Sequence, residues 1–210
     1  MYGTNGSLAN NRRNTTNSTI KDKIDTWYTQ NMTSYTKYLS TTAVYCNDRE
    51  LASGETYSTS SNFDYAADTR LGTNNTPTYD CTNDNDKFTV DASSGNGKLT
   101  YPIALMTADE IAYAGGVSGQ SAPMWYYTNS TLKSSTGLTE WWSLSPIGWG
   151  GDALSWLVSG SDDPGDLGGH GVYHLGGVRP VVSLKSCIKY STGNGTSETP
   201  YEIVETSSGC

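Results

Sequence analysis

Leu99 to Gly116 reads LTYPIALMTADEIAYAGG, and its pattern changes halfway. Up to Met106 it is apolar and strand-like. At Thr107 a T-A-D-E sequence opens a short helix. The Thr107 hydroxyl can accept the amide three residues on, and Glu110 can reach back to the Thr107 amide. Gly115-Gly116 then ends the helix. Asp109 and Glu110 have the look of a catalytic carboxylate pair, but helix capping accounts for both.

Upstream, KFTV (87–90) and the turn SSGNG (93–97) precede KLTYPIALM (98–106), which predicts two short strands around a tight connection. Residues 47–86 read as loop, rich in Gly, Ser, Thr and Asn. From Thr19 a helical period places Ile20, Ile24, Trp27, Tyr28, Tyr35 and Leu39 on one broad face. Residues 1–18 are polar and unpatterned, and a flexible lead-in is expected there. Downstream of Gly116, MWYYT, EWWSLSP, ALSWLVS, VRPVVSLK and PYEIVE are candidate strands separated by Gly, Ser and Asp. Two early helices followed by short strands, without βαβ alternation, predict an α+β fold in a single domain over 19–210.

Composition excludes several functions. The net charge of −8 leaves no basic patch to neutralise phosphates, so nucleic acid is not an expected partner. No stretch approaches 18 apolar residues, so no membrane span is expected. Tyrosine (15) and tryptophan (6) far outnumber phenylalanine (2), a bias toward rings with a polar handle that suit half-buried contact surfaces. The start, MYGTNGSLANNRRNTTNST, lacks the apolar core of a secretory leader. A cytosolic protein or a piece of a larger exported one would each fit this.

Cys46, Cys81, Cys187 and Cys210 form no zinc-like spacing, and an even count permits three connectivities. Cys46 and Cys81 bracket a polar stretch with little else to hold it, which favours a bridge there. Cys187 and Cys210 are expected to be unpaired or variable.

The remaining chemistry lies in Leu167–Pro180, LGGHGVYHLGGVRP. His170 and His174 are the two histidines, four apart, but the glycines around them disfavour a helix that would put both on one face. As metal ligands they lack a third partner at fixed spacing, so no metal and no cofactor is expected. Asp162, Asp163 and Asp166 read either as hard oxygen ligands for calcium or as a solvated Asp/Pro/Gly turn, and the turn is favoured. No nucleotide-binding glycine loop, GxSxG elbow or HExxH occurs.

After Trp141, apolar anchors alternate with chemically mixed residues. Trp141, Trp142, Leu144, Leu154, Trp156, Val158, Val172, Val178, Val181 and Val182 read as framework. Between them stand Trp149, Asp152, Ser155, Asp162, Asp163, Asp166, His170, Tyr173, His174 and Leu175. Such a mixture resembles a paratope more than an active site, and Gly168–Gly176 is expected to be an exposed recognition loop. In that reading Val172 is pinned inward, Val178–Leu184 forms a core strand and Arg179 is ion-paired.

LTYPIALMTADEIAYAGG, WWSLSP, GVRPVVSLK and GNGTSETPYEIV, with IKDKIDTWYTQNMTSYTKYLS and CNDR upstream, together resemble a family of gut-bacterial proteins. Its members carry a C-type-lectin-like domain of the formylglycine-generating-enzyme type. The resemblance covers nearly the whole chain beyond about residue 18. It implies a C-type-lectin-like fold with short, mostly antiparallel strands and a ligand-binding segment over about 141–184. The Gly, His, Asp, Tyr, Leu and Ser between Pro146 and Gly177 also resemble the residues that a diversity-generating retroelement creates from asparagine codons. Departures are specific. The EPN or QPD and WND motifs of calcium-dependent lectins are missing, and Cys187 and Cys210 do not match the catalytic cysteine pair of the enzymes.

The resulting expectation is a non-catalytic module that recognises a protein or other surface ligand. It would act outside the cell or on its surface, as part of an exported protein or of a pilus or phage assembly. An oxidase or hydrolase on the same scaffold, and a structural appendage subunit, are the alternatives.

Overall fold

Successive side chains of a strand point to opposite faces, so Trp141 and Trp142 must enter different apolar layers. They do so in the computed structural model, which describes residue 9 and residues 12–122, 140–160, 163–196 and 198–210. Trp141 packs with Ile147, Trp156, Val158 and Leu167 against Leu71, Ala108 and Ile111. Trp142 packs with Leu157 against Ile24, Tyr28, Leu39, Ile103 and Leu105.

The described elements begin with helix α1 (Thr19–Asn31), a 3-10 segment at Thr33–Tyr38, and strands β1 (Tyr45–Cys46) and β2 (Phe63–Asp64). After a π-helical segment at Asp68–Thr73 and a 3-10 turn at Asp84–Asp86 come β3 (Lys87–Phe88), β4 (Ala104–Leu105) and helix α2 (Ala108–Tyr113). Strands β5 (Glu140–Trp149), β6 (Ala153–Ser159), β7 (Leu167–Gly171), β8 (Pro180–Val181), β9 (Tyr190–Thr192) and β10 (Glu202–Ile203) complete the chain. The main sheet has the order β2-β5-β6-β7, and β1 pairs β3, β4 pairs β8 and β9 pairs β10. All these pairs are antiparallel. With few helices and antiparallel strands, the architecture is α+β.

Both faces of the main sheet are covered, α2 lying in the layer of Trp141 and α1 in that of Trp142. Strand β5 is therefore buried along most of its length, and its small polar residues must find partners inside. Ser143 Oγ donates to Trp156 O at 2.9 Å, and Ser145 Oγ accepts the Ala108 amide at 2.9 Å. The second bond ties the first turn of α2 to the sheet, where a helix leaves amides unpaired. Pro146 has no amide to give a ladder, and the β5–β6 register shifts on either side of it.

Helix α2 has the anticipated capping box, with Thr107 and Glu110 each bonded to the other's amide. Helix α1 is shorter than its sequence period. Ser18 caps it and it closes at Met32. There Thr36 Oγ1 bonds Thr33 O and the Tyr28 hydroxyl, offering the backbone an alternative to further helix. Tyr35, beyond the helix, is 41% exposed, and Trp27, within it, is 43% exposed. The strands expected in KFTV and KLTYPIALM do occur, but their ladders are made elsewhere, β3 with β1 and β4 with β8. The core strand expected at Val178–Leu184 shrinks to Pro180–Val181 on the outside of β4, leaving Val178 and Leu184 exposed. MWYYT lies outside the described residues.

Charge fills what apolar residues do not. Arg49 and Asp86 are each 1% exposed and pair at 2.5 Å. The Arg49 Nε and backbone amide also bond the same carboxylate. Arg12 reaches Asp86 as well, and Asn14 accepts from Arg49, so residues 12–14 rest on this pair. Burial pushes the Asp86 carboxyl up, against the pull of Arg49 and Arg12. That is the desolvation cost of a buried pair in another form.

Two disulfides close the described chain, Cys46–Cys81 (Cα–Cα 5.9 Å) and Cys187–Cys210 (Cα–Cα 5.8 Å). The second corrects the expectation that Cys187 and Cys210 are unpaired or variable. The C-terminal segment is brought back by Tyr38, whose hydroxyl donates to Thr206 O and accepts from Thr206 N. No helix among the described residues is long and apolar enough to cross a membrane.

Trp142→Ala and Trp156→Ala should each lower the unfolding free energy by about 3–5 kcal/mol in urea titrations, as emptied core sites do. Asp86→Ala, which strands a buried guanidinium, should cost about 3–5 kcal/mol in the same assay. Non-reducing peptide mapping should recover Cys46–Cys81 and Cys187–Cys210. Opening the 35-residue Cys46–Cys81 loop by a double Cys→Ala substitution should cost about 4 kcal/mol in the loop-entropy account.

Candidate functional site

LGGHG, expected to be loop, is strand β7, paired residue for residue with β6 from Leu167↔Val158 to Gly171↔Leu154. Glycine is a poor strand former, so its presence needs a packing reason. A Cβ at Gly169 would overlap Ile147 Cδ1, and one at Gly171 would overlap the Tyr173 ring. These glycines let neighbours approach closely. They do not make the segment loose.

The chain beyond β7 is held at both ends. Val172 N donates to Ala153 O (2.9 Å), and His174 N donates to Gly171 O (3.0 Å), forming a turn. Gly176 lies under the Trp142 indole, where a Cβ would come within 2.6 Å of Nε1. Gly177 then joins the β5 backbone through Gly177 N to Glu140 O (2.7 Å) and Trp142 N to Gly177 O (3.0 Å). Arg179 follows, its guanidinium 3.3 Å from the centre of the Trp141 ring, a cation–π contact. The exposed part is thus Val172–Leu175, a short pinned arch.

Leu175 is 89% exposed, Tyr173 68% and Val172 45%. Val172 is therefore not the buried anchor the sequence suggested: it is largely exposed and borders the space between α1 and the main sheet. His174 is also exposed. Its ring sits 4.4 Å from Tyr173 and 4.8 Å, edge-on, from His170. The β5–β6 turn stands beside the arch through the Val172–Ala153 bond. It carries half-buried Trp149 at the end of β5 and exposed Asp152. His170, Tyr173 and His174 accordingly form one ring cluster near the β5–β6 turn that carries Trp149 and Asp152, while Leu175 continues the exposed arch toward Gly176 at the Trp142 indole.

The other predicted residues do not join them. Ser155 is 2% exposed, and its hydroxyl donates to Ser145 O at 3.0 Å, so it is a framework residue. Asp166 Oδ1 accepts the Gly119 amide at 2.6 Å, and its backbone bridges Val117, so it anchors the 117–120 turn. Asp163 is exposed, but it lies beyond the start of β7. With a rise near 3.3 Å per residue, five-residue β7 separates it from the arch by roughly 15 Å. Asp162 lies outside the described residues. Among the described residues no three His, Cys, Asp or Glu side chains are grouped to hold a metal ion.

Asp109 is not the helix-capping carboxylate that the sequence suggested. It is 4% exposed and takes two bonds from Arg70, at 2.8 and 2.6 Å, and one from the Thr78 amide. Arg70 also bonds Asp48 at 2.8 Å. Burial opposes charge on Arg70, but the two carboxylates raise its pKa well above the usual range. This network clamps the 68–80 segment to α2. No local signal marks it, because its members lie 22 and 39 residues apart.

No family model, no curated protein and no solved structure matches the chain.

Gly176→Val should drive a side chain into the Trp142 indole and lower the thermal midpoint by several degrees. Gly151→Ala, at a turn position with open space but φ +90°, should cost only about 1 kcal/mol or less of backbone strain.

Proposed function

We propose that the chain is a non-catalytic recognition module of C-type-lectin-like type, acting outside the cell or on its surface. The arch Val172–Leu175 and the β5–β6 turn would contact a protein or other surface ligand. The observation that carries this reading is the exposure of Tyr173 and Leu175 on a segment pinned at both ends. Exposed aromatic and aliphatic side chains on a rigid support lose little entropy on contact, which is the profile of an interface anchor. Two disulfides among the described residues are in keeping with an oxidising compartment. The contact residues under this proposal are Trp149, Asp152, His170, Tyr173, His174 and Leu175.

Substitution separates contact from framework. Asp152→Ala, Tyr173→Ala, His174→Ala and Leu175→Ala should each change unfolding free energy by no more than about 0.5 kcal/mol. Combined, they should abolish attachment of the labelled protein to bacterial or epithelial cell surfaces, while Asp163→Ala attaches like the parent. Attachment unaffected by the combined variant, or loss equal in Asp163→Ala, would remove the arch from the function. The retroelement reading has its own check in the encoding DNA. A nearby near-copy should differ only at adenines, within the codons between Pro146 and Gly177.

A further inference from the structure

A cavity of about 250 Å³ lies between α1 and the main sheet, apart from the arch except at Val172. Its walls include Ile20 and Ile24 of α1, Trp142 and Leu144 of β5, and Phe88 and Leu105. Asn47 also lines it. That residue is 2% exposed, and its Oδ1 accepts no hydrogen bond although it is buried. Among the described residues the other two buried side-chain atoms without a hydrogen-bond partner, the donors Arg12 Nε and Trp156 Nε1, belong to residues that do not line the cavity. Asn47 falls in the CNDR segment, which the recognition surface leaves unused.

We propose that this cavity binds a small, neutral aromatic molecule carrying one hydrogen-bond donor, with Asn47 Oδ1 as the acceptor. An amide oxygen can only accept, so the ligand must present an N–H or O–H. Several other polar groups of the wall are already engaged. Ser143 and Ser155 hydroxyls donate to the carbonyls of Trp156 and Ser145. The Arg49 guanidinium is held by Asp86, Asn14 and Asn85 O. Lys21 is paired with Asp25. The Arg49 guanidinium is paired with Asp86, so it does not serve as the counter-charge for an anionic guest in the interior. Lys98 lies at the exposed rim with Thr16 and Asn17. Size favours a ring system. An apolar cavity of about 150 Å³ takes up benzene, so the larger volume here has room for two fused rings, between the aromatic walls of Trp142 and Phe88.

Titration calorimetry with indole and with 1-benzothiophene, its near-isostere without the N–H, tests both parts. Indole should bind the parent protein one to one, and 1-benzothiophene about tenfold more weakly, the loss of one hydrogen bond in a dry site. Asn47→Leu should bring the two within twofold of each other. Ile20→Trp, at a half-buried position on the wall, should abolish binding of both while leaving the thermal melt cooperative. The combined arch variant should bind indole like the parent, so failure here and failure of the recognition surface are separable. No heat with indole on the parent protein, or unchanged binding in Ile20→Trp, would overturn the site. Equal affinity of the parent protein for both probes would overturn the role of Asn47, and this comparison stands even if Asn47→Leu does not fold.

Discussion

A sheet buried on both faces needs apolar cover twice, and the fold is arranged to supply it from a chain with few apolar residues. Strands β5 and β6 send Trp141, Trp156 and Val158 to one layer and Trp142 and Leu157 to the other. Each helix closes one of these layers. The tryptophans bring large area per residue, which is how a chain that is 35% hydrophobic fills two cores. Loss of either layer would expose one face of the sheet and free the helix docked on it.

Where apolar side chains run out, paired charges and hydroxyls take over. Arg49–Asp86 holds the 47–49 segment to the 84–86 turn, and Arg70 joins α2 to the 48 and 70 regions. Buried pairs of this kind contribute little net stability against a well-packed apolar alternative, but breaking one is expensive. They therefore hold irregular segments in place. The long stretch between β2 and β3, which has little regular structure, depends on them and on the Cys46–Cys81 bridge.

The same economy shapes the surface offered for recognition. Glycines in β7 and at 176–177 let the chain pass close to Ile147, Tyr173 and Trp142. That close passage fixes the arch, so Tyr173 and Leu175 are exposed without being loose. The cavity behind α1 is a separate consequence, a place where helix and sheet meet incompletely around a buried amide.

The sequence by itself determined the periodic elements: the capping box of α2, the start of α1 at Thr19, and the strands containing EWWSLSP and ALSWLVS. These rest on side-chain spacing and on bonds made within a few residues. Only the tertiary structure decided the rest. LGGHG looks like loop because strand preference is written against glycine, and its strand state comes from the β6 ladder and from Ile147 pressing on Gly169. Ser155 looks like a contact residue until Ser145, ten positions away, takes its hydroxyl. Asp109 looks like a helix-start carboxylate until Arg70 arrives from 39 residues upstream. In each case the deciding neighbour is distant along the chain, and a linear pattern cannot register a partner that only folding brings near.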